Sequence, residues 1–133
     1  MNQREIVFHI AIPSSDLDAA YDFYVDGLGC RIARRYDDRI TVDFFGAQLV
    51  CHLAPEMTAP EPAMYPRHFG ATLRHRSKFD DVLNRAKEKG LEFFSDAFVR
   101  FEGLREEHDS FFLCDPSNNL VEFKYYRDPD MIY

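Results

Sequence analysis

The stretch FHIAIPSSDLDAAYDFYVDGLGCRI, residues 8–32, decides the fold. Residues 6–12 (IVFHIAI) are apolar and β-rich, and Pro13 with Ser14, Ser15 and Asp16 ends that run. Leu17, Ala20, Tyr21, Tyr24 and Leu28 then recur at helical spacing, with Ser15 placed as the N-cap and Gly27 and Gly29 closing the helix.

Beyond it, CRIARRYDD, RITVDFFG and AQLVCHL read as three short strands separated by Asp-Asp and Gly turns, so the first unit is βαβββ. Residues 55–66 (PEMTAPEPAMYP) hold four prolines, which withhold backbone donors from helix and sheet alike and mark a linker. After the linker the order repeats: HFGATL as a strand, SKFDDVLNRAKEKG as a helix ending at Gly90, then LEFFSDAFV, a charged stretch from Glu102 to Asp109, FFLCDP and LVEFKYY. His9 precedes Gly29 by 20 positions and His68 precedes Gly90 by 22, so the two strand-helix segments superpose. The expected architecture is α+β: one domain over 1–133, with module one at about 5–54, module two at about 67–126 and a short C-terminal tail.

Composition bounds the partners. With 46% hydrophobic and 29% charged residues, 13 Phe and 7 Tyr, the chain has material for a packed core. A net charge of −7 argues against nucleic acid and anionic membrane surfaces, both of which require a basic footprint, and favours a small-molecule partner. Three dispersed cysteines (Cys30, Cys51, Cys114) suggest neither a disulfide framework nor a thiolate metal site, which fits a reducing cytoplasm. The N-terminal MNQREIVFHIAIP lacks the basic start and long apolar stretch of an export signal, and no run approaches membrane-spanning length.

Strand alternation locates the chemistry. Phe8, Ile10 and Ile12 oppose His9; Leu49, Cys51 and Leu53 oppose His52; Phe69 and Ala71 oppose His68; Val121, Phe123 and Tyr125 oppose Glu122. All four polar residues therefore fall off the helix-packing face. Imidazole nitrogen and carboxylate oxygen suit zinc, iron, manganese, cobalt or nickel, and two histidines with one carboxylate leave coordination positions open for substrate. The bland alternatives are a hydrogen-bonded core histidine at His9, an exposed strand-start histidine at His68 and a surface carboxylate at Glu122, although an acid between Val121 and Phe123 needs a partner. For His52 three roles stay open: fourth ligand, uncoordinated base and satisfied pocket residue.

The segments FHIAIPSSDLDAAYDFYVDGLGCRI, HFGATL and FFLCDPSNNLVEFKYY together resemble the vicinal oxygen chelate superfamily of glyoxalases, extradiol dioxygenases and bleomycin-resistance proteins, over nearly the whole chain. The resemblance implies a cupped mixed β-sheet with helices on its outer face and one divalent metal ion (Fe, Zn, Ni, Co or Mn). It places His9 and His68 at the first-strand ligand position of each module, Glu122 at the last-strand position of the second, and His52 at that of the first. It implies lyase, isomerase or dioxygenase chemistry on a small oxygen-chelating substrate, with Glu122 or His52 as base, and a homodimer. The competing implication is a bleomycin-resistance-like protein that sequesters a ligand without metal chemistry. In DPSNN, Asn118 stands where the family often has Gly, and Asn tolerates the left-handed backbone such a turn demands.

The remaining polar residues are expected to be inert. His75 and His108 sit among charges and read as solvated, Cys51 and Cys114 as buried thiols, and Tyr21, Phe23 and Tyr24 as helix core. Loops around Tyr36 to Arg39 and Glu102 to Asp109 are expected to line the pocket, and KYYRDPDMIY to dock as a tail or pocket rim.

Overall fold

The computed structural model describes residues 5–133; the four residues that open the chain lie outside it. Module one comprises β1 (His9–Ser14), α1 (Leu17–Tyr21) running on into a π-helical turn (Asp22–Gly27), β2 (Arg31–Arg35), β3 (Arg39–Phe44) and β4 (Ala47–Leu53). Module two comprises β5 (Phe69–Thr72), α2 (Arg76–Glu88), β6 (Phe93–Arg100), β7 (His108–Cys114) and β8 (Leu120–Tyr126).

The expected repeat is present. Each module forms a four-stranded sheet of the same winding, β1-β4-β3-β2 and β5-β8-β7-β6. The first strand runs parallel to the last and every other pair is antiparallel, because the intervening helix carries the chain across before the strands return by tight turns. His9 and His68 each stand seven residues before the N-cap of the following helix, Asp16 and His75, so the two histidines are structural equivalents.

Sequence and structure part at the first helix. Its N-cap is Asp16, whose carboxylate accepts from the Ala19 amide at 3.0 Å; Ser15 instead takes its amide to the Ser117 hydroxyl at 2.9 Å. The helix widens after Tyr21, with the Leu28 amide donating to the Phe23 carbonyl at 2.9 Å. Phe23 and Tyr24, both expected in the helix core, are buried together in that wide turn. Tyr21, expected with them, is only partly buried.

One hydrophobic cluster joins the modules: Ile40 and Leu49 of the first sheet, Tyr24 of the first helix, Phe79 of α2, and Phe111 and Phe123 of the second sheet. Polar stitches cross the same seam. The Tyr24 hydroxyl donates to buried Asp115 at 2.7 Å, and Asp115 also accepts from the amides of Ser117 and Asn119 at 2.8 and 2.9 Å. The Asn119 side chain reaches the Pro13 carbonyl at 3.0 Å, and Arg85 of α2 donates to the carbonyls of Asp26 and Gly27, at the C-terminal end of the first helix. Asn118 adopts φ of 65°, the left-handed turn expected of it.

His108 corrects the expectation of a solvated residue. It opens β7, is buried, lies 4.5 Å from the Tyr126 ring across the strand pair, and has Nδ1 3.0 Å from the Glu106 carbonyl; an aromatic neighbour and one satisfied nitrogen offset its desolvation. No helix among the described residues is long and apolar enough to cross a membrane.

Candidate functional site

The face of the second sheet opposite α2 presents Leu120, Glu122, Lys124 and Tyr126 from β8 and His108, Ser110, Phe112 and Cys114 from β7, paired in register. The Pro-rich linker lies over part of this face: Met64 packs against the cluster of Phe112, Cys114 and Leu120, and the Asn118 side-chain amide donates to the Ala59 carbonyl at 2.9 Å. The polar residues between these contacts form the floor of the candidate site.

Glu122 is 5% exposed, and the partner expected for so buried an acid is His68, whose Nε2 stands 3.1 Å from Oε1. The Ser110 hydroxyl donates to Oε2, and Lys124 Nζ lies 3.9 Å from Oε1. His68 Nδ1 is 2.7 Å from the Met64 carbonyl, a bond that requires the proton on Nδ1 and turns Nε2 toward the carboxylate. An imidazole nitrogen and a carboxylate oxygen in this arrangement hold a cation between them, either a proton or a metal ion.

The donor set fits a divalent metal. Two cis ligands each about 2.1 Å from an ion stand about 3.0 Å apart, close to the separation of Nε2 and Oε1. Both ligands are also oriented from behind, His68 by a carbonyl and Glu122 by a hydroxyl, as ligating histidines and carboxylates commonly are. Among the described residues, however, no three His, Cys, Asp or Glu side chains come together.

His9 and His52 lie on the other sheet, both exposed. His9 is registered with Gln48 and His52 with Pro13, a separation of four residues, or roughly 13 Å along the strand pair. Because His9 and His68 are equivalent and Ala11↔Val50 corresponds to Gly70↔Glu122, Val50 occupies the first module's counterpart of Glu122. His52 falls two residues further along the same face.

A cavity of about 600 Å³ opens between the modules, with Ile10, Ile12, Met57, Tyr65, His68 and Leu120 among its walls. The linker shapes it, and residues 36–39 and 102–109 do not line it. Nothing in the linker's composition beyond its prolines signalled that role. Gly70 was also missed: a Cβ there would lie 1.6 Å from the Glu122 carbonyl oxygen, so β5 approaches β8 closely enough to bring His68 to Glu122 only with glycine. Ser110 could be found only once the β7–β8 register was known.

The thiols stay out of the chemistry. All three are buried, and burial pushes Cys30 and Cys51 up to about 12 and Cys114 up to about 11, so they remain protonated near neutrality.

The model of the Glyoxalase/Bleomycin resistance protein/Dioxygenase superfamily matches residues 6–123. A solved glyoxalase/bleomycin resistance protein/dioxygenase from Alicyclobacillus acidocaldarius shares 59% identity, with all of each chain covered and a TM-score of 0.96. A fosfomycin resistance protein from Listeria monocytogenes is 16% identical, covering 95% of this chain and 97% of its own, at a TM-score of 0.72. Lactoylglutathione lyase from Agrobacterium tumefaciens is 20% identical, covering 90% and 92%, at 0.68. No curated protein matches the sequence.

Proposed function

Since the chain belongs to the Glyoxalase/Bleomycin resistance protein/Dioxygenase superfamily, we propose that it is a metal-dependent enzyme acting on a small substrate with neighbouring oxygen donors, by lyase, isomerase or dioxygenase chemistry. The observation that supports this reading most is the contact of His68 with Glu122 at 3.1 Å, with each side chain held from behind by Met64 or Ser110. Such bracing suits a ligand pair, since outer partners fix the orientation of ligating histidines and carboxylates.

His68 and Glu122 would hold the ion, and a third ligand comes from a second copy of the chain. Both β1 and β5 are edge strands, and β1 begins beside exposed Ile6, Val7 and Phe8; open edges and an apolar flank are what a partner copy covers. His9, the equivalent of His68, stands exposed at the start of that edge. The set takes His9 and leaves His52, since the span between the two exceeds what one ion bridges.

What a bound divalent ion would supply is Lewis acidity toward two substrate oxygens, with charge stabilisation as enolate or oxyanion character develops. Ser110 fixes the rotamer of Glu122, and Glu122 is the candidate base should a substrate oxygen displace it from the ion. The ligand-sequestering alternative has one observation in its favour: the cavity between the modules is walled largely by apolar side chains and could hold a ligand unaided.

Elemental mass spectrometry of protein purified without chelator tests the reading. Near-stoichiometric metal in the wild type, lost in His68→Ala, Glu122→Ala and His9→Ala, is the expected result. Subunit exchange between His9→Ala and His68→Ala should then restore metal to about a quarter of the sites, because half the dimers are mixed and each has one intact site. A wild type that stays empty after reconstitution with Fe, Mn, Co, Ni and Zn would leave the sequestering alternative.

A further inference from the structure

Among the described residues nearly every Lys and Arg is exposed; the partly buried ones are Arg39, Arg100 and Lys124. Arg39 has its carboxylate, Asp38, at 2.7 Å. Arg100 has none within ion-pair distance among the described residues; its one side-chain bond donates to the Tyr65 hydroxyl at 2.9 Å. Lys124 has only Glu122, at 3.9 Å, an acid that His68 already engages more closely. In a chain of net charge −7 carboxylates are plentiful, so two half-buried cations without dedicated partners mark a place where the counter-charge arrives from outside.

Both cations look onto the same floor. Lys124 is registered with Ser110, and Arg100 with His108, on the face that also bears Glu122. Strands about 4.8 Å apart put the Cα atoms of Arg100 and Lys124 roughly 12 Å from each other, within the joint reach of two long side chains around one small anion. Their heads already lean toward the candidate ligand pair: Lys124 Nζ toward Glu122 Oε1, and Arg100 through Tyr65, whose ring lies 6.0 Å from that of His68.

We infer that Arg100 and Lys124 form an oxyanion subsite, so that the substrate is a compact carboxylate or phosphoryl compound whose charged group sits beside the His68–Glu122 pair. The inference deepens the proposed function and rests on its placing the ligand on this floor. It does not depend on the metal. Arg100 would supply the bidentate fork and Lys124 a point charge, with the Tyr65 hydroxyl free to turn toward the same anion.

The test is calorimetric titration of chelator-stripped protein with two probes, pyruvate and inorganic phosphate, at low ionic strength. One of them should bind, and the better one names the anion class. Arg100→Met and Lys124→Met should each weaken that probe about tenfold or more, Arg100→Lys should recover part of the loss, and Arg34→Met, at an exposed position on the other sheet, should stay within about twofold. Metal content, measured on separate samples purified without chelator, should not change in Arg100→Met. Loss of the metal reading would appear as unstripped wild type that is metal-free and stays so after reconstitution while the stripped protein still binds anion, which leaves the subsite standing. The subsite itself is overturned if neither probe binds at up to about 20 mM, or if both variants bind as the wild type does.

Discussion

The two modules share a winding, a strand order and an equivalent histidine, yet among the described residues that histidine meets a carboxylate only in the second. In module two the helix-distal face buries Glu122, Ser110 and Phe112, with the linker over part of them, and His68 reaches the acid from a more open position. In module one the corresponding face keeps His9 and His52 exposed, and Val50 replaces the acid. Duplication of a fold therefore does not duplicate its chemistry. What differs is the acid and its cover: a buried carboxylate must find a partner and takes His68, while Val50 offers none to the first module's histidines.

The largest effect that would sharpen this contrast is at the strand crossings. Gly70→Ala forces a methyl into the Glu122 carbonyl and should cost about 3 kcal/mol or more in urea denaturation. The equivalent residue in module one is already alanine, so Ala11→Gly should cost no more than about 1 kcal/mol. Equal costs would mean that the close approach of β5 to β8 is not what distinguishes the modules.

Next is the seam between them. Tyr24→Phe removes the donor to buried Asp115, and a loss of about 1–3 kcal/mol is expected in the same denaturation series. Burial raises the Asp115 carboxyl above its ordinary range while its hydrogen bonds pull it back down, so those donors are what make its charge tolerable. A neutral Tyr24→Phe variant would show that this bond adds nothing to the seam, leaving the hydrophobic cluster and the other polar contacts to hold it.

The smallest effect near neutrality compares thiols across the modules. Cys30 and Cys51, in module one, are raised from 9.0 to about 12 by burial. A raised folded value means that stability is fully present below pH 9.0 and is lost as pH rises toward about 12, because the unfolded chain ionises first. Cys30→Ala/Cys51→Ala should flatten the alkaline limb of a stability–pH curve more than Cys114→Ala, whose thiol reaches only about 11.

The helix-and-strand order, the linker and the face shared by His68 and Glu122 were legible in the sequence because they follow from local periodicity, which each residue reports through its immediate neighbours. AQLVCHL and LVEFKYY coincide with β4 and β8 to the residue. The misplaced N-cap at Ser15 and the supposedly solvated His108 share one cause: each residue is claimed by a partner distant in the chain, Ser117 for the first and Tyr126 for the second. The π-turn that buries Phe23 beside Tyr24 also escaped detection, since its extra residue breaks the helical period that reading relies on.

The sequence by itself determined two βαβββ units and a handful of polar residues off the helix-packing face, since alternation and helical spacing are properties of contiguous chain. Only the tertiary structure decided which of those residues meet. Register set His52 four residues from His9, the absence of a side chain at Gly70 let β5 close on β8, and the folded linker gave His68 its carbonyl partner. Each depends on an angstrom-scale relation between segments far apart in sequence, and local periodicity does not encode such relations.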